Sequence, residues 1–455
     1  MSWWCELAWL GGGAEQATAG VVIEASDGRI TSVHAGVAAP PAGATRLDGL
    51  TIPGLANAHS HAFHRALRGR TRAGTGSFWT WRDQMYGIAQ RLDPDAYFRL
   101  ARATYAEMAL AGITVVGEFH YVHHQPDGTP YADANAMGEA LLAAAAEAGI
   151  RITLLDTCYL HGGLTADGYA PLADHQRRFG DRHADAWAAR AAARCGAGSP
   201  TPMAVLGAAV HSVRAVDPAS MAAVGAWATG RDAPLHIHLS EQPAENEACL
   251  AHHGRTPTEL LHDAGLLGER LTAVHATHLT DADLGLLAST RSGVCLCPTT
   301  ERDLADGIGP TGALAAAGVP LCLGSDSHAV IDPFEEARAV ELDERLATLV
   351  RGTHPASALL TAATATGYSA LGWDGGGVLA EGSPVDLTTV GLDSVRLAGT
   401  DADSALASVV FAATAADVTY VVVGGNVVVS DGAHASIDVA AELDASIRAV
   451  TGSAA

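Results

Sequence analysis

The sequence predicts an α/β protein. A distorted (β/α)8 TIM barrel spans residues 49–375, beside a small β-sandwich domain built from both termini, 1–48 and 376–455. Three observations carry that prediction. Eight short apolar segments alternate with Ala-rich helical stretches through the middle of the chain. About 325 residues for eight β/α units is the arithmetic of such a barrel with insertions. The two ends share a strand-and-turn style that the middle lacks: GVVIEA (20–25) and DGRITSVHAG (27–36), then VDLTTVGL and VTYVVVGGNVVVSDG, with Asp-Gly and Gly-Gly-Asn as hairpin turns.

The eight candidate strands are 50–59, 113–120, 151–160, 202–211, 235–241, 271–279, 293–298 and 319–327. Amphipathic segments such as ANAMGEALLAAAAEAG (134–149) and DADLGLLASTRSG (281–293) lie between them. The C-terminal strand ends of such a barrel carry its active site. Here those ends are polar. Strand one ends His59-Ser60-His61, strand five carries His236-Ile237-His238 followed by Glu241, strand six reaches His275, and strand eight ends Gly324-Ser325-Asp326.

Residues i and i+2 of a strand share a face, so His59 and His61 can reach one metal ion. His238 and Asp326 complete a first shell of nitrogen and oxygen donors suited to zinc, and a catalytic zinc keeps one position for water, whose pKa it lowers toward 7. The donor set also admits iron. Glu241, just past strand five, is placed to move a proton to a leaving nitrogen, and His275 to touch the water or the group it attacks. Cys295 and Cys297 read as buried strand residues, since no second cysteine pair follows. His236, His123-His124 and His252-His253 read as core or surface histidines.

Composition narrows the chemistry. The 455 residues include 27 arginines and not one lysine. A Schiff-base lysine, a P-loop lysine and a carbamylated lysine bridging two metals are thereby excluded. A formal charge of −23 repels nucleic acid and anionic lipid. No stretch reads as a membrane span and the start lacks a basic leader. Seven cysteines, mostly in apolar runs, read as reduced thiols. Together these point to a soluble cytoplasmic enzyme.

The segments PGLANAHSHAFHRA, HIHLSE, VHATH and GSDSH resemble the amidohydrolase superfamily in its aminohydrolase branch. SFWTWRDQMY (77–86), GEFHYVHH (117–124), HSVRAV (211–216) and PTTERDLADGI (298–308) resemble its formimidoylglutamate deiminase family, the N-formimino-L-glutamate iminohydrolases. The resemblance runs over about residues 20–430. It implies one zinc held by His59, His61, His238 and Asp326. It implies Glu241, His275 and Asp326 as the catalytic residues, with Asp326 taking a proton from the attacking water.

The resemblance further implies Arg82, Tyr121, His211 and Arg214 as substrate contacts, and a homodimer. The product would be N-formyl-L-glutamate with ammonia, in histidine degradation. Two positions depart from the family: His64 stands in place of Gln at a further substrate contact, and Asp303 in place of Asn. Guanidinium forks bind carboxylates, so Arg82 and Arg214 suit a dicarboxylate substrate independently of the resemblance. Two alternatives stand beside this one. One is another aminohydrolase of the same scaffold, acting on formiminoaspartate or a purine or pyrimidine base. The other is a non-catalytic barrel that only binds.

Overall fold

Eight parallel strands follow one another in chain order: β1 (Leu55–Ser60), β2 (Ile113–His120), β3 (Arg151–Cys158), β4 (Ala204–Val210), β5 (Leu235–Leu239), β6 (Leu271–His275), β7 (Gly293–Leu296) and β8 (Leu321–Leu323). The structure is a computed structural model that describes residues 1–71, 78–196 and 202–452, apart from the side chains of Phe78, Trp79 and Cys195. Ser77 of the predicted SFWTWRDQMY motif and the Cys195 thiol lie outside that description. β2, β3, β5 and β6 are buried along their whole length, as expected of parallel strands covered on the outside by helices. Local signals begin those helices. Asp93 accepts from the Ala96 N–H ahead of Pro94–Leu110, and Thr280 forms a capping box with Asp283 ahead of Asp281–Thr290.

The barrel closes between β8 and β1 through a single parallel bridge, Ser60 with Asp326. The Asp326 N–H donates to the His59 carbonyl at 3.0 Å, and the His61 N–H donates to the Asp326 carbonyl at 3.3 Å. Gly324 permits this approach. A Cβ there would stand 2.7 Å from the Cβ of His59 and 2.9 Å from its backbone N and O.

Strands five, six and eight are shorter than the sequence predicts. β5 and β6 stop where the chain enters the left-handed region, at Ser240 (φ 49°), His275 (φ 71°) and Ala276 (φ 50°); β8 stops at Leu323, and Asp326, three residues on, is left-handed too (φ 41°). An apolar run cannot announce such a turn, because these are not glycines.

The terminal segments build the second sheet, in the order Ala433–His434, Asn426–Ser430, Val418–Val423, Leu387–Val390, Thr45–Pro53, Ser2–Ala8, Thr18–Ser26, Arg29–His34. The predicted sandwich takes the form of one continuous sheet folded over its own core. Trp3, Cys5, Val21, Ile23, Leu387 and Val422 fill that core, and an Arg29–Pro384 bridge draws the two ends together. Thr45–Pro53 runs across the predicted boundary at 48/49 and leads straight into β1. The chain after residue 438 forms a helix, Val439–Thr451, that lies against the barrel. Arg102 of the barrel helix Pro94–Leu110 pairs with its Glu442, and Arg91 donates to its Val450 and Thr451 carbonyls at 3.2 and 2.7 Å. No helix among the described residues is long and apolar enough to cross a membrane.

Gly324→Ala is expected to strain the closure by roughly 1–3 kcal/mol, the range for overpacking. Thermal unfolding and metal analysis check this: the midpoint should fall and metal content should drop with it, and an unchanged protein would show that β8 can move away from His59 freely.

Candidate active site

Each of the eight strands delivers polar or aromatic side chains to the same mouth. β1 ends in His59, with His61 just beyond. Tyr121 follows β2, Tyr159 follows β3, and His211 follows β4. β5 carries His238, with Glu241 two residues past its end. β6 ends in His275, Glu301 lies in the helix Pro298–Leu304 after β7, and Asp326 lies three residues past β8.

His59, His61, His238 and Asp326 are buried, and their ligand atoms lie within 4.8 Å of one another. The His238 and His59 Nε2 atoms are 3.1 Å apart, those of His61 and His238 3.4 Å. Asp326 Oδ1 is 3.3 Å from His59 Nε2 and 3.4 Å from His61 Nε2. Four donors at bond lengths of about 2.0–2.1 Å in a tetrahedral shell stand roughly 3.3 Å from one another, which these separations match.

The tautomers agree. His61 donates from Nδ1 to the Phe119 carbonyl at 2.9 Å, and His238 from Nδ1 to the His211 carbonyl at 2.8 Å. Both Nε2 atoms therefore present lone pairs to the cluster, as metal-ligating imidazoles do. Lone pairs facing one another in a buried site repel unless a cation lies between them, so the donor set fits a metal ion such as zinc. Burial alone would raise the Asp326 carboxyl, yet the imidazoles of His59, His61 and His275 hold it below the usual carboxylate range.

Glu241 and His275 stand beside this cluster. His275 Nε2 is 3.8 Å from Glu241 Oε1 and 4.0 Å from Asp326 Oδ2, while its Nδ1 is 3.3 Å from Glu301 Oε1. Burial works against charge on His275, but Glu241, Glu301 and Asp326 outweigh it and push the imidazole up to about 10. Burial raises the Glu241 carboxyl, against the pull of His275 and Arg214. A carboxyl raised in this way can both take and return a proton near neutral pH.

The predicted substrate contacts also gather here. His64, Arg82, Tyr121, His211 and Arg214 line one small hollow over the metal cluster, with Trp81, Met85 and Leu304. His64 Nε2 is 3.0 Å from Tyr121 Oη, and burial keeps its imidazole well below its ordinary pKa, hence neutral. Arg214 Nε is 2.8 Å from Glu245 and Nη2 3.4 Å from Glu241. Arg82 Nη2 makes a long contact of 3.5 Å to Tyr159 Oη, and its guanidinium carbon lies 5.4 Å from the centre of the Tyr86 ring. Larger hollows occur on the small sheet and at the opposite end of the barrel, but the lining of neither includes a residue of the metal cluster.

Sequence reasoning missed Glu301, Glu245 and Glu118. Glu301 lay inside a quoted motif, and its place five residues past β7, in the first turn of the following helix, was the available signal. Glu118 accepts from Ser60 Oγ at 2.9 Å and from the Ala62 N–H at 2.8 Å, which fixes the turn that carries His61. It too lay inside a quoted motif, and its place as the one carboxylate in the run ITVVGEFH was the available signal. The histidines read as core or surface are so placed: His236 is buried and within 2.9 Å of the Ala370 carbonyl, His123 and His124 are buried, and His252 is exposed. The six described cysteines are buried free thiols.

The sequence profile of the Amidohydrolase family matches residues 50–428. The chain is 39% identical over 406 residues to the formimidoylglutamate deiminase of Pseudomonas aeruginosa, covering 86% of this chain and 87% of that protein. It is 30% identical over 423 residues to a 5-methylthioadenosine/S-adenosylhomocysteine deaminase of Nitratidesulfovibrio vulgaris, covering 91% and 88%. Among solved structures, an amidohydrolase from Brucella melitensis superposes with a TM-score of 0.91 at 33% identity, over 99% of both chains.

Asp326→Ala removes a candidate metal ligand and leaves both backbone hydrogen bonds of the barrel closure in place. Elemental analysis of the purified protein should find metal content near zero; a variant that retains stoichiometric metal would remove Asp326 from the shell.

Proposed function

Since the chain belongs to the amidohydrolase family and is a hydrolase acting on C–N bonds, we propose that it deiminates N-formimino-L-glutamate to N-formyl-L-glutamate and ammonia, a step of histidine degradation, with one zinc ion. The observation that carries this reading is the pair of arginines at the mouth. In a chain of charge −23, Arg82 and Arg214 line the same hollow as the metal donors. Two fixed guanidinium groups beside a hydrolytic centre suit a substrate with two carboxylates. The similarity to the Pseudomonas aeruginosa enzyme supports the same choice.

His59, His61, His238 and Asp326 would hold the zinc, which when bound supplies a Lewis acid that brings water into reactive range at neutral pH. Asp326 takes one proton of the attacking water as its oxygen adds to the formimino carbon. His275, beside Glu241 and Asp326 and tied through Nδ1 to Glu301, faces the negative charge that develops there as a cation. Glu241 carries the proton taken by Asp326 and the one left on the added oxygen, the two protons of the water, to the imino nitrogen, so that the C–N bond breaks and ammonia leaves. The carbon keeps the incoming oxygen as the formyl carbonyl. His64, Tyr121 and His211 contact the substrate between the metal and the arginines.

A purine deaminase is the second reading. The Trp81 and Tyr121 rings at the hollow and the Nitratidesulfovibrio vulgaris relative favour it. Ammonia release from formiminoglutamate, formiminoaspartate, S-adenosylhomocysteine and guanine separates the two. Turnover of formiminoglutamate well above the rest is expected, and turnover of a purine alone would overturn the proposal. Glu241→Gln should retain its metal and lose roughly 10²–10⁴-fold in kcat, the worth of a positioned proton carrier. Near-normal kcat in that variant would assign the proton path elsewhere.

A further inference from the structure

The 3₁₀ turn Asp174–Phe179 contributes nothing to the cluster of His59, His61, His238 and Asp326, yet two of its buried polar side chains reach groups that surround Arg82. Gln176 Oε1 accepts from the Ala173 N–H at 3.0 Å, which sets the orientation of the amide. Its Nε2 then donates to Tyr159 Oη at 3.0 Å and Tyr86 Oη at 3.1 Å, and to the Gly162 carbonyl at 3.2 Å. Those two phenols are the groups that Arg82 leans on. Phe179 packs against both of their rings, with centroids 5.9 and 5.6 Å away.

Arg178 is fully buried and donates to main-chain carbonyls of Ala89, of Leu92 at 2.9 Å and of His124 at 3.0 Å. Ala89 ends the helix Phe78–Ala89, which carries Arg82, and His124 lies three residues after Tyr121. A cation at the C-terminal carbonyls of a helix is favourable, and more so when buried. The Arg178 carbonyl in turn accepts from the His123 and His124 N–H groups at 3.1 and 2.9 Å. One short turn thus joins the helix of Arg82 to the loop of Tyr121.

We propose that Gln176 and Arg178 are positioning residues that fix Arg82 for a carboxylate of the substrate. Arg178 anchors the end of the helix and Gln176 sets the two phenols against the guanidinium. The inference rests on the reading that the substrate is anionic. It explains why residue 176 is an amide. A glutamate there cannot donate, so both phenols would turn their O–H groups toward it, and the new anion would draw Arg82 inward.

The test titrates the holoenzyme with glutarate by calorimetry and measures turnover of formiminoglutamate, for wild type, Gln176→Leu, Gln176→Glu, Arg178→Lys, Arg82→Met and the Gln176→Leu/Arg82→Met double variant. Gln176→Leu should weaken glutarate and raise KM by roughly tenfold, the size of one hydrogen bond, with a smaller effect on kcat and unchanged metal content. Gln176→Glu should lose more. Arg178→Lys, which keeps the charge but not the fork, should fall between wild type and Gln176→Leu. In the Arg82→Met background the Gln176 effect should vanish, because it acts through Arg82.

Additive losses, or glutarate binding untouched by Gln176→Leu, would overturn the inference. So would a wild type that does not bind glutarate. Glutarate binding that depends on Arg82 and Gln176, with no turnover of formiminoglutamate, would instead keep the positioning role and overturn the proposed substrate.

Discussion

The contact on which the rest of this structure depends is the closure of the barrel at Ser60 and Asp326. β1 and β8 meet at that one bridge, and two backbone hydrogen bonds there involve His59, His61 and Asp326, three of the four residues of the buried His-Asp cluster. Closing the barrel and assembling the site are therefore one event. The backbone of Asp326 ties the strands together while its carboxylate faces the imidazoles of the strand it ties to. Gly324 allows the approach by leaving empty the space a side chain would need. Glu118, buried on the next strand, holds the turn after Ser60 so that His61 returns to the same side as His59.

Charge is distributed around that closure with a clear logic. The chain is strongly acidic, and its cations are all guanidinium groups. At the mouth the two arginines sit in different company. Arg214 is held by Glu241 and Glu245. Arg82 stands against the phenols of Tyr159 and Tyr86. In the proposed reaction, Arg214 belongs to both binding and proton transfer, whereas Arg82 belongs to binding. At the end of β4, where a two-metal relative would place a carbamylated lysine, this chain has His211, whose carbonyl orients His238.

The cluster of His59, His61, His238 and Asp326 was legible in the sequence because spacing along strands is a geometric statement. His59 and His61 stand two apart, and His238 and Asp326 lie near the ends of apolar runs. The eight strands were legible for the same reason. What stayed hidden has a common cause: it depends on contacts between segments with no periodicity of their own. Glu301 bonds His275 from a helix beyond another strand, and Gln176 reaches two tyrosines 17 and 90 residues away in sequence. Glu118 stands out in its strand as a carboxylate, but its partners, Ser60 and the Ala62 N–H, lie on another segment. The final helix, Val439–Thr451, follows a run of strands, so its place against the barrel came from Arg91 and Arg102, which nothing local pairs with it.

The strand ends show why the reach of the strands was misjudged and why that matters. Ser240, His275, Ala276 and Asp326 all adopt positive φ without being glycines. Such conformations are unfavourable by roughly 1–3 kcal/mol each and persist where their surroundings leave no alternative. Here the surroundings are specific: the Ala276 N–H donates to the Leu239 carbonyl at 3.0 Å, the His278 N–H to the Ser240 carbonyl at 3.1 Å, and the Asp326 N–H to the His59 carbonyl. A strand that continued in extended form would send successive side chains to alternate faces and carry His275 and Asp326 apart. Turning left-handed at the rim stops the alternation and brings both side chains over the same point. The strain is thus tied to the convergence of Glu241, His275 and Asp326, and the barrel's own closing hydrogen bonds hold it in place.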